Sequence, residues 1–315
     1  PSLLKKGYAR GLSAGIITSS GTLGILIPPS IMLVVYAGLT GQKETSVGNL
    51  FAAAILPGLL LSTLYIIYVG IRCFIRPQDG PPIPKDERTA TFGMKCVMFV
   101  KSLVPPFGLI LAVMGTILAG IATPTEAAAM GAFGALLLAL FKRTFTWEMI
   151  RGAALSTART TAMVMALFIG GKVFSVVFLS MGGGDVVADL MLGSSLSPTL
   201  VLAMMMAVVF ILGAFIDWAA ILLITVPIFT PIAMELGFDP LWFAMLICIN
   251  LQTSFLTPPF GYSLFYFKGA APPEYTIGEV YRGIIPFICL QVTCIVVVCV
   301  WPQIITYLPS VFFGK

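Results

Sequence analysis

Two clusters of small, oxygen-bearing residues carry the chemistry legible in this 315-residue chain. The first is Ser19, Ser20, Gly21 and Thr22; the second is Asn250, Gln252, Thr253, Ser254 and Thr257. Each lies in a long apolar stretch just ahead of a proline pair, Pro28 and Pro29 in one case, Pro258 and Pro259 in the other. A proline has no N–H, so the carbonyl four residues earlier loses its helical partner. Pro28 and Pro29 therefore release the carbonyls of Gly24 and Ile25, and the second pair releases those of Ser254 and Phe255. Unpaired carbonyls are costly in hydrocarbon, so each break must face protein, water or a cation. Hard oxygens with little formal charge suit sodium. The candidate ligands at the first break are Ser19, Ser20, Gly21, Thr22, Gly24 and Ile25. Those at the second are Asn250, Thr253, Ser254, Phe255 and Thr257, together with Asp217. Beyond each break a new helix N-terminus favours an anion, which makes Ser30 and Gly261 candidate substrate contacts.

The elements that position these clusters are worn copies of each other. SSGTLGILIPPSIMLVVYAG at 19–38 aligns with NLQTSFLTPPFGYSLFYFKG at 250–269, placing Thr22 on Gln252, Leu26 on Leu256 and Tyr36 on Tyr266. VGNLFAAAILPG at 47–58 keeps step with IGEVYRGIIPF at 277–287, with Phe51 on Tyr281. A duplicated, interrupted apolar helix points to the binding site of a secondary transporter.

Composition sets the environment. The chain is 58% hydrophobic and 10% charged, against roughly 25% charged in soluble domains. The solvent for most of its surface is therefore a lipid bilayer. With no histidine, histidine triads and proton relays are excluded. The six cysteines have no paired short spacing, so neither a disulfide framework nor a metal motif is expected. The net charge of +5 is gathered in a few loops, which gives no stripe for nucleic acid.

Apolar runs near the roughly 20 residues that span a bilayer fall at 11–39, 49–71, 102–122, 125–141, 160–180 and 283–308, with more between 198 and 268. The loop from Arg72 to Lys101 and the one carrying Lys142, Arg143, Arg151 and Arg159 are basic, and so are expected on the cytoplasmic side. The segment 182–198 with Asp185 and Asp189, and the residues Glu235 and Asp239, are then external. Both ends of 198–235 fall outside, yet each arm has only about 17 residues, so a re-entrant hairpin with Asp217 at its tip is expected. The broken segment 241–267 crosses inward while 11–39 crosses outward, an inverted repeat. The halves divide at 1–101 and 102–315. By symmetry a second hairpin should precede the first broken helix, so an N-terminal half-repeat is expected to be missing from this chain.

Charges in apolar surroundings are costly and usually functional. Asp217 is read as a sodium ligand or loop support, or as a cap of the hairpin. Glu126 after Pro124 fits a helix cap. Lys172 in GGKVF could attract a carboxylate substrate or pair with an acid. Arg159 belongs to the cytoplasmic interface.

The motifs KKGYARGLSAGIITSSGTLGILIPPS at 5–30, GIATPTEAAAMGAF at 120–133 and the block 213–267 resemble the large membrane subunit of tripartite ATP-independent periplasmic (TRAP) transporters, of the DctM and SiaM kind. The resemblance covers nearly the whole chain. It implies an all-α, inverted-repeat, elevator-type importer of the bacterial inner membrane. Such an importer couples sodium to the uptake of an organic acid delivered by a periplasmic solute-binding protein, and works with a small four-helix membrane subunit, separate or fused. It places sodium at the hairpin tips and facing broken helices, matching Ser19 to Ile25, and Asp217 with Asn250 to Thr257. The QTSF stretch at 252–255 and Lys172 depart from the dicarboxylate-type pattern. Rival readings are an anion transporter or exchanger needing no binding protein, a passive channel, and an intramembrane aspartyl protease prompted by GGGD at 182–185. The protease chemistry needs a second carboxylate, for which no partner helix is evident.

Overall fold

The computed structural model describes residues 2–82, 91–193, 196–258 and 261–314, so Lys85, Arg88 and Pro259 lie outside the described residues. Among these residues all regular structure is α-helical: α1 (Ser2–Lys5), α2 (Arg10–Leu26), α3 (Ile31–Thr40), α4 (Val47–Ile75), α5 (Phe92–Leu118), α6 (Pro124–Phe141), α7 (Trp147–Ser180), α8 (Gly183–Leu192), α9 (Pro198–Gly213), α10 (Trp218–Glu235), α11 (Pro240–Ser254), α12 (Tyr262–Ala270), α13 (Ile277–Val300) and α14 (Gln303–Phe313). Seven helical segments among the described residues are long and apolar enough to cross a membrane.

Several boundaries differ from the hydropathy reading. The helices α5 and α7 begin at Phe92 and Trp147, well before 102 and 160, because each opens with turns that carry charged residues and so lie outside an apolar window. The segment 182–198, which lies between the apolar runs, contains α8, entered through Gly182 at φ 81°. Asp185 sits in the first turn of α8, where a carboxylate complements the helix dipole. The run 283–308 is divided at Trp301 (φ −122°, ψ 78°) between α13 and α14, since Pro302 cannot continue the ladder.

The chain forms two compact units, 1–82 with 167–315, and 83–166. This partition follows packing and differs from the symmetry division at 101/102. In the smaller unit, α5 and α6 are joined by a turn with Gly120 at φ 68°. Thr123 and Glu126 close a capping box at the start of α6, Thr123 N donating to Glu126 Oε2 at 2.8 Å and Glu126 N to Thr123 Oγ1 at 3.4 Å. Glu126 is thus a structural cap, as its spacing implies. Phe99, Phe107, Leu111, Phe133 and Leu140 are exposed on these helices, a surface suited to lipid.

The larger unit is built around α11, in which every residue from Leu241 to Ser254 is buried. A helix without a polar face belongs inside. Contacts fix the helix directions. Arg10 Nη1 lies 3.5 Å from Glu279 Oε1, Gly15 lies against Gly283 and Phe287, and Thr22 accepts from Gln291. Hence α2 and α13 run parallel. Trp242, at the start of α11, donates from Nε1 to Val298 O, near the end of α13, at 3.1 Å. Hence α11 runs against α13 and against α2, and the two proline-broken segments are oppositely directed, as the duplication implies. The contact between α2 and α13 is backbone to backbone. Gly11 and Gly15, a GxxxG pair, face Gly283, and a Cβ on Gly283 would collide with the Gly11 carbonyl.

The prolines leave a consistent trail. Pro227 strips Leu223 O of its helical donor, and Ser175 of α7 donates to it at 2.6 Å. Pro302 does the same to Val298 O, and Trp242 supplies the missing N–H. Side chains from neighbouring helices thus complete broken ladders and fasten α7 to α10 and α11 to α13. Ser175→Ala and Trp242→Phe should each lower stability by about 1–3 kcal/mol, the usual cost of orphaning a buried acceptor, read as an earlier thermal transition in detergent.

Candidate sites at the two helix breaks

At the first break α2 ends with Ile27 N donating to Leu23 O at 2.8 Å, and α3 begins after Ser30. Ser30 makes no capping bond to α3; its hydroxyl donates back to Ile25 O. The carbonyl released by Pro29 is therefore already engaged by protein, and so is the hydroxyl of the substrate candidate Ser30, which is buried. The six residues expected at this site divide over two faces of α2. Ser19 and Thr22 are buried toward the core, whereas Ser20, Gly21 and Gly24 are exposed and Ile25 is half-buried. Gly21 and Ile25, with Ile17 and Thr18, line a cavity of about 470 Å³ closed by Ser263, Phe267 and Tyr275.

At the second break the last turn of α11 tightens. Phe255 N donates to Leu251 O at 3.2 Å, Leu256 N to Thr253 O at 3.2 Å and Thr257 N to Ser254 O at 3.0 Å. Ser254 O, released by Pro258, is thus taken by the backbone N–H of Thr257. Gly261 N then donates to Thr257 O at 3.2 Å, and a Cβ on Gly261 would sit 3.0 Å from Phe255 O. A side chain there would be tight, because the chain returns closely on itself.

The helix pair α9–α10 brings its tip to this break. Asn250 Nδ2 donates to Met206 O at 2.7 Å, so α9 runs parallel to α11. Gly213, at the end of α9, lies against Leu251 and would clash with Ser254 Oγ if it carried a Cβ. Asp217 follows in the turn, half-buried, with Oδ2 accepting from Ala219 N at 3.1 Å. It caps α10, and its carboxylate retains further lone pairs. The return helix α10 packs on α3, where Tyr36 OH lies 3.5 Å from Thr230 Oγ1.

The hydroxyls around the breaks spend their protons on their own helices. Thr22 donates to Ser19 O (2.8 Å), Thr253 to Ile249 O (3.1 Å), Ser254 to Leu251 O (2.7 Å) and Thr257 to Thr253 O (3.1 Å). A hydroxyl committed in this way presents only lone pairs to its surroundings, which fits a cation at Thr253, Ser254 and Thr257, whereas both lone pairs of Thr22, expected as an ion ligand, are already taken by glutamine amides. No group of three or more His, Cys, Asp or Glu side chains that could hold a metal occurs among the described residues. Lys172 is exposed on α7, and the structure does not join it to either break.

One residue absent from the sequence reading, Gln291, joins Thr22 and Gln252 between the breaks. Gln252 Nε2 and Gln291 Nε2 each donate to Thr22 Oγ1 at 3.3 Å, and all three residues are buried. Gln252 was visible as the repeat partner of Thr22. Gln291, alone and polar in the apolar run CLQVTC, is the kind of intramembrane residue that warrants a functional reading. The cysteines are all free.

Two oppositely directed, proline-broken helices around a buried polar junction, with seven candidate spans among the described residues, define a multi-pass helical membrane protein. The chain belongs to the tripartite ATP-independent periplasmic transporter family, DctM component, whose model matches residues 1–304. It is 33% identical to the C4-dicarboxylate TRAP transporter large permease protein DctM of Pseudomonas aeruginosa, covering 98% of this chain and 70% of the relative. It is 30% identical to the sialic acid TRAP transporter large permease protein SiaM of Vibrio cholerae, covering 98% and 69%. Against the ectoine TRAP transporter large permease protein TeaC of Halomonas elongata the identity is 31%, covering 99% and 71%. The family is that of a transporter component.

Proposed function

We propose that this chain is the large permease of a sodium-coupled importer of an organic acid in the bacterial inner membrane. The observation that carries the reading is the pair of inverted breaks, each ringed by hydroxyl and carbonyl oxygens, with the Asp217 turn laid against the second. In this reading α9 and α10 form a re-entrant hairpin. Sodium binds on the Asp217, Thr253, Ser254 and Thr257 side and on the Ser19 to Ile25 side, and the N-termini of α3 and α12 then favour the substrate carboxylate.

The relatives named for C4-dicarboxylate, sialic acid and ectoine support a small organic acid or zwitterion as cargo. A periplasmic solute-binding protein would deliver it, and a small membrane subunit would complete the transporter. The domain bearing both breaks would then carry ions and cargo across as a body, in elevator fashion. Each net positive charge moved inward gains about 2.3 kcal/mol per 100 mV, so sodium in excess of the cargo's charge drives uptake.

The test is uptake of a panel of organic acids by the complete transporter in proteoliposomes, with and without the binding protein. The reading expects uptake of one acid class only when the binding protein is added. Equal uptake without it would favour a stand-alone carrier.

A further inference from the structure

The hydrogen bond between Thr22 and Gln252 joins residues that the internal repeat sets on one another, 230 positions apart. They meet where the two copies face each other. The chain places a short hydroxyl against a long amide, an asymmetry that closes the gap. Gln291 reaches the same oxygen from α13.

Thr22 is saturated by this arrangement. Its proton goes to Ser19 O at 2.8 Å, and its two lone pairs accept the two amide N–H groups. The orientation of both amides is thereby fixed, since a flipped amide would ask Thr22 for a second proton. Each glutamine turns its Oε1 away from Thr22, and both oxygens, like Ser19 Oγ, are buried without a hydrogen-bond partner among the described residues. Tyr65 of α4 lies beside Gln291 and Thr22, and its hydroxyl too is buried without a hydrogen-bond partner among the described residues. Four helices thus converge on one hydroxyl.

We propose that Gln252 and Gln291 are positioning residues that couple the two ion sites through Thr22, so that sodium at one break raises the affinity of the other. The proposal rests on the sodium reading above. Gln252 adjoins Thr253 and Ser254 in the last turn of α11, whereas Thr22 belongs to the cluster ahead of the first break. An ion that orders the turn 253–257 holds the Gln252 amide against Thr22. Thr22 in turn holds the final turns of α2 in the arrangement that a second ion needs. Coupling of this kind is reciprocal.

The experiment is a sodium titration of uptake by the complete transporter in proteoliposomes. The unmodified protein should give a Hill coefficient approaching about 2, the limit for two coupled sites. Gln252→Leu and Gln291→Leu should bring it toward about 1 and raise half-saturating sodium, while uptake at saturating sodium stays within about twofold. A purely structural role would lower abundance or rate without changing the Hill coefficient. The pair Thr22→Ser and Thr22→Val supplies a second reading should a leucine variant fail to fold: serine keeps the hydroxyl and should keep the cooperativity, and valine should lose it. Sodium-dependent uptake whose Hill coefficient is near 1 in the unmodified protein, or unchanged in these variants, overturns the coupling and leaves the sodium reading standing. Sodium-independent uptake by the unmodified protein overturns both.

Discussion

Gly283→Leu is expected to abolish the folded transporter. A Cβ at Gly283 meets the Gly11 carbonyl and backbone of α2, and Gly15 in turn lies against Gly283 and Phe287. Overpacking a core commonly costs about 1–3 kcal/mol because side chains can move aside. Here the obstacle is main chain, which cannot move without separating α2 from α13 and pulling Thr22 away from Gln291. The cost should exceed that range. The measurement is the amount of monodisperse protein recovered after detergent extraction, with Gly278→Leu as the control. Gly278 lies on the same helix, and nothing lies within 4 Å of a Cβ there. Normal recovery of Gly283→Leu would show that the helices do not cross this closely.

The second large effect concerns Asp217, for which the sequence leaves two roles open. Its Oδ2 caps α10 through Ala219 N, and asparagine caps a helix about as well as aspartate. Asp217→Asn therefore preserves the turn and removes the charge. If the carboxylate serves sodium at the second break, half-saturating sodium for uptake should rise about tenfold or more, equivalent to about 1.4 kcal/mol, with the thermal transition nearly unchanged. Asp217→Ala should add a loss of stability of about 1 kcal/mol from the missing cap. An Asn variant with unaltered sodium dependence would reduce Asp217 to a cap.

Much of this architecture was legible because the bilayer makes the backbone's hydrogen-bond accounting strict. The proline pairs at 28–29 and 258–259 fall between α2 and α3 and between α11 and α12, whereas Pro105 and Pro106 lie inside α5 without ending it; it was the duplication about 230 positions apart that singled out the related elements. The contacts Arg10–Glu279 and Trp242–Val298 bear out that the copies run in opposite directions. Less legible was the fate of the released carbonyls. Ser30 and Thr257 are local donors that recapture Ile25 O and Ser254 O, and Ser175 and Trp242 do so from distant helices for Leu223 and Val298. Spacing cannot reveal a donor that arrives from another helix.

The split of Ser19–Ile25 over two faces of α2 follows from helical geometry once the segment stays helical to Leu26. Proximity to the prolines had suggested a single cluster. Gln291 escaped notice for the opposite reason: it lies about 30 residues beyond the second break, and only the parallel packing of α13 on α2 brings it to Thr22. Helix starts such as Phe92 and Trp147 were placed too late because charged turns at a membrane surface lower the local hydropathy without ending the helix.

The central claim is that sodium at the two breaks drives uptake. The most direct test is accumulation of the cognate organic acid in proteoliposomes holding the complete transporter and its binding protein, under an inward sodium gradient, no gradient, or an equal gradient of choline. The account predicts accumulation above the external concentration only with the sodium gradient, greater when the interior is made negative. Equal accumulation in choline, or none that responds to the sodium gradient, would contradict it.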